Sequence, residues 1–379
     1  MSTAKLVIST PDISSFVLSG LPHLALNLST FPDASGEPVT ARTVVPLTER
    51  DLREFLPSAV RAAKRKPTDI ALLIYTSGTT GRPKACAIHN IRMCMTATPG
   101  AHDINNPAKY LPLRTYSTLP LFHGTGFFLG INYSVGVAGT LCLRLKFSAS
   151  SFWKDVHESR ATRILYVGEL CRYLLAAPSS PYDRSHSCIV ATGNGLRGDI
   201  WDRFRDRFGV PELCEFYRST EGIAMFDNFL GGAWGAGAVG FAGPLRRLVE
   251  NKTFIVRYDP VTEMPYRDPK TGFCVKTKID EVGEAIGRVH SRQFLTEYLN
   301  NPDATEGTLL KDVFQKGDLF QRTGDLLARD ADGWVRFQDR IGDTFRWKGE
   351  NVSAGEVRDH ICQFPGVRDA IVYGVKLNG

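Results

Sequence analysis

A run of hydroxyl, glycine and lysine residues occupies positions 75–84, directly after the apolar stretch 70–74, and reads Tyr-Thr-Ser-Gly-Thr-Thr-Gly-Arg-Pro-Lys. Glycines allow successive backbone N–H groups to converge on an anion, the hydroxyls add further donors, and Lys84 adds a positive charge. The run therefore predicts a polyphosphate-binding loop. It is not a Walker A loop, because that motif places Gly and Lys side by side before Ser or Thr. Here Pro83 precedes the lysine and Ala85 follows it.

A second group of chemically active side chains lies at residues 217–222, which read Tyr-Arg-Ser-Thr-Glu-Gly and follow a strand-like stretch. Ligands gather at such strand ends in open α/β sheets. The Glu221 carboxylate is a hard ligand of the kind that Mg²⁺ prefers, and Tyr217 offers an aromatic face to a purine. The same residues also fit a structural interpretation, with Tyr217 in the core and Glu221 at a helix N-terminus.

A glycine pattern at residues 193–198, Gly-Asn-Gly-Leu-Arg-Gly, matches G-x-G-x-x-G and follows another strand-like run. Alone, it indicates a nicotinamide-dependent dehydrogenase, with Glu212 or Glu215 near the distance expected for an acid that binds ribose. The pattern lies in the middle of the chain, however, and a dehydrogenase would leave the loop at residues 75–84 without a role. The glycines are equally suited to a close approach of the backbone to an adenine ring, so both interpretations stay open.

The elements that must position these groups are visible from about residue 68 onward. Short apolar, β-branched runs alternate with longer stretches at helical spacing, which predicts parallel βαβ units. The predicted strands are residues 70–76, 115–120, 140–146, 163–168, 187–192 and 212–217, and the predicted helices are residues 150–160, 168–176 and 198–208. After residue 222, shorter strands and many glycines predict a β-rich subdomain. Within it, Asp332 and Gly333 predict a hairpin turn, because glycine accepts the positive φ that the turn requires.

Composition limits the class of protein. The chain has 379 residues, 43% of them hydrophobic and 23% charged, as in a globular enzyme of two or three domains. With a net charge of only +6, the basic run at residues 61–66 is expected to be solvated surface and not a nucleic-acid site. The eight cysteines lack metal-ligand spacing, which argues against a zinc site and for a reducing compartment. No run predicts a transmembrane span, whereas peripheral membrane association stays open.

Several of these motifs resemble those of one superfamily. The loop at residues 75–84 closely resembles the phosphate loop of the acyl-adenylate-forming enzymes, which include acyl-CoA synthetases, luciferases and the adenylation domains of peptide synthetases. Residues 217–222 resemble the Tyr-Gly-x-Thr-Glu motif of that superfamily, and residues 119–124 resemble its Pro-Leu-aromatic-His segment. The resemblance implies an α/β fold with a mostly parallel sheet, helices on both faces, a β-rich subdomain and a small C-terminal domain.

The resemblance also implies roles for single residues. The residues implied in catalysis are Lys84, His123, Thr220 and Glu221. The residues implied in nucleotide binding are Thr76, Ser77, Gly78, Thr79, Thr80 and Gly81 in the loop, Gly193, Asn194 and Gly195 beside adenine, and Tyr217. By the same resemblance Tyr217 stacks on adenine, Thr220 contacts the α-phosphate and Glu221 ligates Mg²⁺.

His123 and Arg218 need separate consideration. By the resemblance, His123 lies near the carboxylate of the acyl substrate, where an imidazole could orient the attacking group, although a lone histidine is more often structural. Arg218 stands where the superfamily usually has a small residue. A large cation beside the nucleotide could either pair with phosphate or crowd the pocket.

The last motifs resemble one branch of the superfamily. Residues 339–353, Asp-Arg-Ile-Gly-Asp-Thr-Phe-Arg-Trp-Lys-Gly-Glu-Asn-Val-Ser, resemble the fatty acid transport protein and very-long-chain acyl-CoA synthetase branch. By this resemblance Arg340 contacts ribose or phosphate, and Lys348-Gly349 belongs to the loop that approaches the CoA arm. Residues 323–325, Thr-Gly-Asp, resemble the segment whose aspartate binds ribose. A carboxylate such as Asp325 accepts two O–H donors and so suits a vicinal diol.

Four regions are expected along the chain: a poorly defined N-terminal segment (1–67), an α/β nucleotide-binding subdomain (68–222), a β-rich subdomain (223–338), and a hinge with a C-terminal domain (339–379). Compared with the superfamily, the sequence looks truncated at both ends. A lysine that the resemblance implies late in the C-terminal domain has no counterpart here.

The sequence thus predicts an AMP-forming acyl-CoA synthetase that uses ATP, Mg²⁺ and CoA on a carboxylic acid, by the resemblance a long-chain fatty acid. An alternative of another class is a catalytically impaired nucleotide- or acyl-binding protein, or a lipid-uptake accessory protein, because the C-terminal domain looks incomplete. The expected location is intracellular, either cytoplasmic or peripheral on a peroxisomal or endoplasmic reticulum membrane. The identity of the acid and the oligomeric state are not indicated.

Overall fold

The structure is a computed structural model that describes residues 7–9, 23–25, 65–76, 83–98, 112–229, 233–243, 252–341, 344–347, 350–362, 364, 366–367 and 370–373. The chain divides into two compact units, residues 1–66 with 142–145, and residues 67–141 with 146–379. In the first unit, strands β1 (Val7–Ser9) and β2 (His23–Ala25) pair in parallel. The site residues that the structure describes all belong to the second unit.

A two-stranded hairpin carries the predicted phosphate loop. Strand β3 (Ile70–Thr76) pairs antiparallel with β4 (Lys84–His89), and helix α1 (Asn90–Thr96) follows at once. The predicted strand 70–76 is confirmed, but the prediction that it enters a parallel βαβ unit is wrong. Its connection to the next strand spans only residues 77–83, whereas parallel strands need a crossover of a dozen or more residues.

The predicted parallel sheet lies in the next part of the chain. Its strands are β5 (Arg114–Ser117), β6 (Thr140–Leu143), β7 (Arg163–Val167), β8 (Val190–Asn194), β9 (Glu212–Tyr217) and β10 (Phe226–Asn228). Their order is β10-β9-β8-β7-β5-β6; β5, β7, β8 and β9 run parallel, and β10 is antiparallel to β9. The helices here are a π-helix (Thr125–Asn132), α2 (Tyr133–Gly136), α3 (Phe152–Glu158), α4 (Gly168–Ala176) and α5 (Gly198–Phe208). The predicted βαβ region is therefore confirmed, and α4 and α5 have the predicted bounds.

Helix α5 shows how the sequence builds this layer. Ile200, Phe204 and Phe208 recur every fourth residue and are buried, so they form one apolar face. The ring of Trp153, from α3, stacks on Phe208 with 4.6 Å between the ring centroids. The helix ends at Phe208, and the next residue, Gly209, has a left-handed φ of 64°, which favours glycine.

The β-rich region forms one antiparallel sheet. Its strands are β11 (Gly240–Phe241), β12 (Thr253–Asp259), β13 (Met264–Pro265), β14 (Gly283–Arg288), β15 (Leu309–Lys311), β16 (Leu319–Arg329) and β17 (Trp334–Arg340), and α6 (Pro302–Glu306) precedes β15. The order is β11-β17-β16-β14-β12-β13, with β15 beside β16. Arg329 lies opposite Val335, and Gly333 has a φ of 96°, so the predicted hairpin turn is confirmed.

Further along the chain, β18 (Thr344–Trp347) pairs antiparallel with β19 (Glu350–Ser353), and helix α7 (Ala354–Ile361) follows. A buried cluster joins the parallel and antiparallel sheets of the second unit. It contains Tyr217, Ala224, Phe226, Val239, Ala242, Ala285, Leu327 and Val335. This shared core fixes the end of β9 against the middle of β16, and both of these places carry predicted site residues.

The first testable prediction concerns the close approach of α4 to the glycine pattern at residues 193–198. A Cβ at Gly168 would lie 1.7 Å from the carbonyl oxygen of Gly195, whereas a Cβ at Gly198 would meet nothing closer than 3.5 Å. Gly168→Ala should therefore lower the free energy of unfolding by about 2–4 kcal/mol, and Gly198→Ala should change it by less than about 1 kcal/mol. Urea denaturation of both variants measures the difference, and equal effects would contradict the described packing.

Candidate active site

Three of the predicted site segments meet at one edge of the parallel sheet. Asn194 ends β8 and Tyr217 ends β9, and the carboxyl ends of these parallel strands lie side by side. The Thr125 hydroxyl donates to Oδ1 of Asn194 at 3.3 Å, which brings the segment after His123 to the same edge. A Cβ at Gly124 would lie 3.7 Å from Oγ1 of Thr220. The fold thus gathers residues that are far apart in the sequence.

His123 lies in the turn that leads into the π-helix. Its backbone N–H donates to the Pro120 carbonyl at 3.1 Å, and its carbonyl accepts from the Phe127 N–H at 2.9 Å. The side chain is exposed at the sheet edge, with its ring centroid 5.0 Å from that of Phe122. The backbone is therefore fixed while the imidazole faces solvent, and its predicted role beside an acyl carboxylate stays a prediction.

The loop that contains Gly193, Asn194 and Gly195 is held by a buried acid. Oε1 of Glu215 accepts from the Leu196 N–H at 2.8 Å, and its Oε2 accepts from the Tyr166 hydroxyl. Burial raises the pKa of Glu215 to about 8. Gly195 has a φ of 80°, which favours glycine. Glu215 is therefore a support for this loop.

This geometry contradicts the dehydrogenase interpretation of the glycine pattern. The Glu215 carboxylate is occupied by two donors within the core and is 1% exposed, so it is not available to a ribose. Glu212 lies opposite Val190 at the start of β8, at the far end of the strand from Asn194. Neither acid lies where a ribose-binding residue of a dinucleotide site is needed.

A second prediction follows from the raised pKa of Glu215. Between an ordinary pKa of 4.5 and the raised value of about 8, the folded chain keeps a proton that the unfolded chain releases. The free energy of unfolding should therefore fall as the pH rises from about 5 to about 8, by up to about 1.4 kcal/mol per pH unit. In Glu215→Gln the amide oxygen can still accept from Leu196 but does not titrate, so this fall should be shallower.

Urea denaturation of wild type and Glu215→Gln at matched pH values measures this difference. The neighbouring Tyr166 and Cys171 have pKa values raised by burial and by the Glu215 charge, so they stay protonated across the window in both proteins. Ionisable groups elsewhere in the protein contribute equally to the stability curves of the wild type and the variant. Parallel stability curves for the two proteins would show that Glu215 is already ionised in the fold.

Glu221 and Lys84, both predicted to be catalytic, are connected through a tyrosine that the sequence analysis missed. The Tyr298 hydroxyl donates to Oε1 of Glu221 at 3.0 Å. The Lys84 Nζ lies 5.2 Å from the centroid of the Tyr298 ring. Nothing in the local pattern around Tyr298 indicates this role, because Glu221 lies 77 residues away in sequence.

Arg92, which the sequence analysis also missed, fixes the backbone of the two residues before Glu221. Its guanidinium donates to the carbonyl oxygens of Thr220 and, at 3.2 Å, Ser219, and lies 5.1 Å from the ring centroid of Phe128. Burial, followed by the Arg218 charge, lowers its pKa to about 10, so it stays charged at neutral pH. The predicted phosphate-contacting residue Thr220 is therefore anchored through its backbone.

Tyr217, Asp325 and Arg340 form a third connected group. The Tyr217 hydroxyl donates to Oδ2 of Asp325 at 2.6 Å, and Arg340 Nε lies 3.2 Å from its Oδ1. Burial raises the pKa of Asp325, and the hydrogen bond from Tyr217 and the Arg340 charge oppose that rise. The structure thus brings together the residues predicted for adenine and ribose, and their contacts with a nucleotide stay predictions.

Arg218 is held by an acid of the neighbouring strand, and the two effects considered from the sequence, pairing with phosphate and crowding of the pocket, stay predictions. Its guanidinium forms an ion pair with Asp227 of β10, with 3.0 Å between Nη2 and Oδ1. The side chain is therefore held along the neighbouring antiparallel strand, where a carboxylate already balances its charge.

Other predicted residues lie outside the described residues: Ser77, Gly78, Thr79, Thr80 and Gly81 of the phosphate loop, and Lys348 and Gly349. The base of the loop is described. Thr76 lies opposite Lys84 in the hairpin, and its Oγ1 is 3.5 Å from Sγ of Cys86. The structure therefore places the point where this loop leaves and rejoins the hairpin.

The single carboxylate of Glu221 fits the way in which proteins hold Mg²⁺ for a nucleotide. Within the described part of the chain, no group of three or more His, Cys, Asp or Glu side chains could hold a metal ion. Mg²⁺ usually keeps several waters and binds through one or two carboxylates and substrate phosphates. Glu221 is half-buried and accepts one hydrogen bond, so its carboxylate has remaining acceptor capacity.

Comparison with known proteins identifies the family. Residues 9–284 match the family described as AMP-binding enzyme, which is well over half of the chain. The chain belongs to that family. The family recognised from the sequence motifs is therefore confirmed. In this AMP-binding chain, Tyr298 connects Lys84 of the phosphate-loop hairpin to Glu221.

Curated relatives agree with the AMP-binding assignment. The chain is 44% identical over 310 residues to isopenicillin N epimerase component 1 of Hapsidospora chrysogena, covering 81% of this chain and 51% of that protein. It is 37% identical over 388 residues to long-chain fatty acid transport protein 2 of Rattus norvegicus, covering 99% of this chain and 59% of that protein. The chain thus spans about half the length of the curated relatives it matches.

Solved structures confirm the predicted fold class. A benzoate CoA ligase from Burkholderia xenovorans LB400 matches with a TM-score of 0.68 at 22% identity, over 99% of this chain and 67% of that chain. The anthranilate CoA ligase AuaEII in complex with anthranoyl-AMP matches with a TM-score of 0.68 at 20% identity, over 98% of this chain and 66% of that one. Among the described residues of this AMP-binding protein, no helix is long and apolar enough to span a membrane.

Proposed function

We propose that this AMP-binding protein activates a carboxylic acid with ATP and then transfers the acyl group to CoA. The observation that carries the proposal is the connected group Lys84, Tyr298 and Glu221, next to Thr220 at the sheet edge. It joins a cation suited to phosphate with a carboxylate suited to Mg²⁺. The confirmed family supports the same reaction class.

In the first step, a carboxylate oxygen of the acid attacks the α-phosphorus of ATP, the bond from that phosphorus to pyrophosphate breaks, and acyl-AMP forms. Lys84 and the loop around Thr76 offset phosphate charge, and Thr220 contacts the α-phosphate. His123 orients the attacking carboxylate. Glu221 would hold Mg²⁺, which would supply further positive charge for the phosphates. Catalysis of this kind depends on positioning and on charge stabilisation, with little covalent chemistry by the protein.

The nucleoside is assigned to the two neighbouring groups. Gly193, Asn194 and Gly195 lie beside adenine, and Tyr217 provides an aromatic face. Asp325 accepts the ribose hydroxyls; a carboxylate has about four lone-pair sites, so it can do this while Tyr217 and Arg340 remain bound.

In the second step, the CoA thiolate attacks the acyl carbon and AMP leaves. We assign Lys348-Gly349 to the approach of the CoA arm, following the sequence resemblance. The expected regions 1–67, 68–222, 223–338 and 339–379 stay proposals for the domain organisation.

Two classes of acid are supported by the relatives. Similarity to a long-chain fatty acid transport protein favours a long-chain fatty acid. The 44% identity to isopenicillin N epimerase component 1 favours a peptide-derived acid as the second candidate. None of the eight cysteines, all of which lie in the described part of the chain, is in a disulfide, which fits a reducing compartment. We place the protein in the cytoplasm or on the surface of a peroxisomal or endoplasmic reticulum membrane.

The direct test uses acids labelled with ¹⁸O in both carboxyl oxygens. The purified chain is incubated with ATP, Mg²⁺, CoA and a panel that contains long-chain fatty acids and isopenicillin N, and the products are examined by mass spectrometry. Attack by the carboxylate leaves one labelled oxygen on AMP, so ¹⁸O-AMP together with acyl-CoA is the expected result. Nucleotide binding by folded protein without acyl-AMP or ¹⁸O-AMP would contradict the proposal and favour a nucleotide-binding protein without turnover.

A third prediction tests the assignment of Glu221. Glu221→Gln keeps the size of the side chain but removes the charge, so kcat/KM for acyl-CoA formation should fall by about 100-fold or more. Glu158→Gln is the matched control, because Glu158 forms only an exposed i,i+4 ion pair with Lys154. Steady-state kinetics at saturating Mg²⁺ measures both variants, and an unchanged Glu221→Gln enzyme would remove Glu221 from the site.

A further inference from the structure

Tyr298 contacts two residues of the candidate active site with two different parts of its side chain. The hydroxyl donates to Oε1 of Glu221 at 3.0 Å, and the face of the ring lies 5.2 Å from Nζ of Lys84. A hydrogen bond to an ionised acceptor is stronger than one between neutral groups, and an aromatic face attracts a cation. One side chain therefore stabilises the positions of both charges.

The backbone around Tyr298 is fixed to the hairpin that carries the phosphate loop. Residues 297–299 run antiparallel to β4: the Ala87 N–H donates to the Glu297 carbonyl at 2.9 Å, and the Leu299 N–H donates to the Ala85 carbonyl at 2.8 Å. Tyr298 lies opposite Cys86 in this pairing. Residues 297–299 thus add a third paired segment to the hairpin sheet, directly beside Lys84.

Contacts on the other side of Tyr298 complete this support. Its N–H donates to Oγ1 of Thr305 at 3.0 Å, and Thr305 lies in α6. Asn301 caps the same helix, with its Oδ1 accepting from the Ala304 N–H at 3.1 Å. The half-buried Tyr298 ring also packs against a buried cluster of Ile74, Cys86, Ile88 and Phe128. The ring and hydroxyl therefore project from a backbone with little freedom to move.

The hydroxyl of Tyr298 is a donor at neutral pH. A tyrosine phenol ordinarily keeps its proton at neutral pH, and here the hydroxyl lies 3.0 Å from Oε1 of Glu221, which can only accept when it is ionised. Arg92 holds the carbonyl oxygens of the preceding residues, Ser219 and Thr220. The loop is thereby anchored by its backbone, while the carboxylate of Glu221 is oriented by Tyr298.

We propose that Tyr298 is a positioning residue that sets the Glu221 carboxylate and the Lys84 ammonium for Mg²⁺-ATP. The inference rests on the proposed function, since it assumes that these two residues serve the metal and the phosphates. It assigns separate effects to the two parts of the side chain. The hydroxyl governs the response to Mg²⁺ through Glu221, and the ring governs ATP affinity through Lys84.

The experiment compares Tyr298→Phe, which keeps the ring and removes the hydroxyl, with Tyr298→Leu, which removes both. Tyr266→Phe is the matched control, because Tyr266 follows β13 at the edge of the antiparallel sheet and contacts Arg257. Each protein is titrated with Mg²⁺ and with ATP in the acyl-CoA assay. ATP binding is also measured calorimetrically with and without Mg²⁺, and thermal unfolding shows that each variant is folded.

The Mg²⁺ concentration for half-maximal activity should rise by about 3- to 10-fold in Tyr298→Phe, with the KM for the acid unchanged. The gain in ATP affinity on adding Mg²⁺ should shrink by a similar factor. Tyr298→Leu should show both effects and, in addition, weaker ATP binding without Mg²⁺. If Tyr298 had only a structural role, Tyr298→Phe would not change the Mg²⁺ response alone while the protein stays folded and the KM for the acid stays the same.

Two results would overturn the inference. If the wild type is active and Tyr298→Phe responds to Mg²⁺ as Tyr266→Phe does, the role of Tyr298 is contradicted and the proposed function stands. A wild type that binds no Mg²⁺-ATP would contradict both. If the wild type binds Mg²⁺-ATP without turnover, the calorimetric comparison still decides the role of Tyr298, while the proposed function fails.

Discussion

The hydrogen bond between the Tyr217 hydroxyl and Asp325 joins the two sheets on which the candidate active site depends. It connects the last residue of β9 to the middle of β16, over 2.6 Å, and both side chains are largely buried. Breaking this bond would take the carboxylate acceptor from the buried Tyr217 hydroxyl, which costs more than an average hydrogen bond contributes, whereas Asp325 would keep its ion pair with Arg340. Tyr217, the last residue of β9, therefore fixes the direction in which residues 218–221 leave the strand.

From that fixed point, the segment is held at successive positions by residues from different parts of the chain. Arg92 binds its backbone carbonyls, and Tyr298 binds the carboxylate of Glu221. Because these partners belong to α1 and to the segment paired with β4, the same contacts place the phosphate-loop hairpin beside the sheet edge. Such positioning by rigid elements is what nucleotide activation requires, since the reaction depends on orientation and charge.

Buried acids support this arrangement in two different ways. Glu215 holds the loop after β8 in a site without a cationic partner among the contacts described, and burial raises its pKa to about 8. Asp325, by contrast, has both Tyr217 and Arg340 as partners. The first carboxyl accepts two hydrogen bonds within the core, whereas the second can still accept hydrogen bonds from further hydroxyl groups.

Local signals predicted much of the fold. Helices 168–176 and 198–208 were predicted with their observed bounds, because their apolar residues recur at helical spacing. The Asp332-Gly333 turn was predicted from the conformational freedom of glycine. The hairpin of β3 and β4 was not, because an apolar, β-branched run looks the same whether its neighbour is parallel or antiparallel.

The candidate site was predictable only where its residues lie in motifs. Thr220, Glu221 and Lys84 were found in this way, and the structure connects them. Tyr298 and Arg92 were missed because their contacts are made across the fold, to residues 77 and 128 positions away. The spacing of Glu215 fits ribose only in the dehydrogenase alternative, and the sequence alone does not show that this residue is 1% exposed and supports the loop after β8.

The central claim is that the nucleotide lies at this sheet edge, between the loop after β8 and the segment after β9. A crystal structure of the chain with Mg²⁺ and a non-hydrolysable ATP analogue tests it most directly. The account predicts adenine beside Gly193–Gly195 and Tyr217, ribose hydroxyls within hydrogen-bond distance of Asp325, and phosphates near Thr220 with the cation on Glu221. A nucleotide bound elsewhere, or bound at this edge without contact to Asp325 and Glu221, would contradict it.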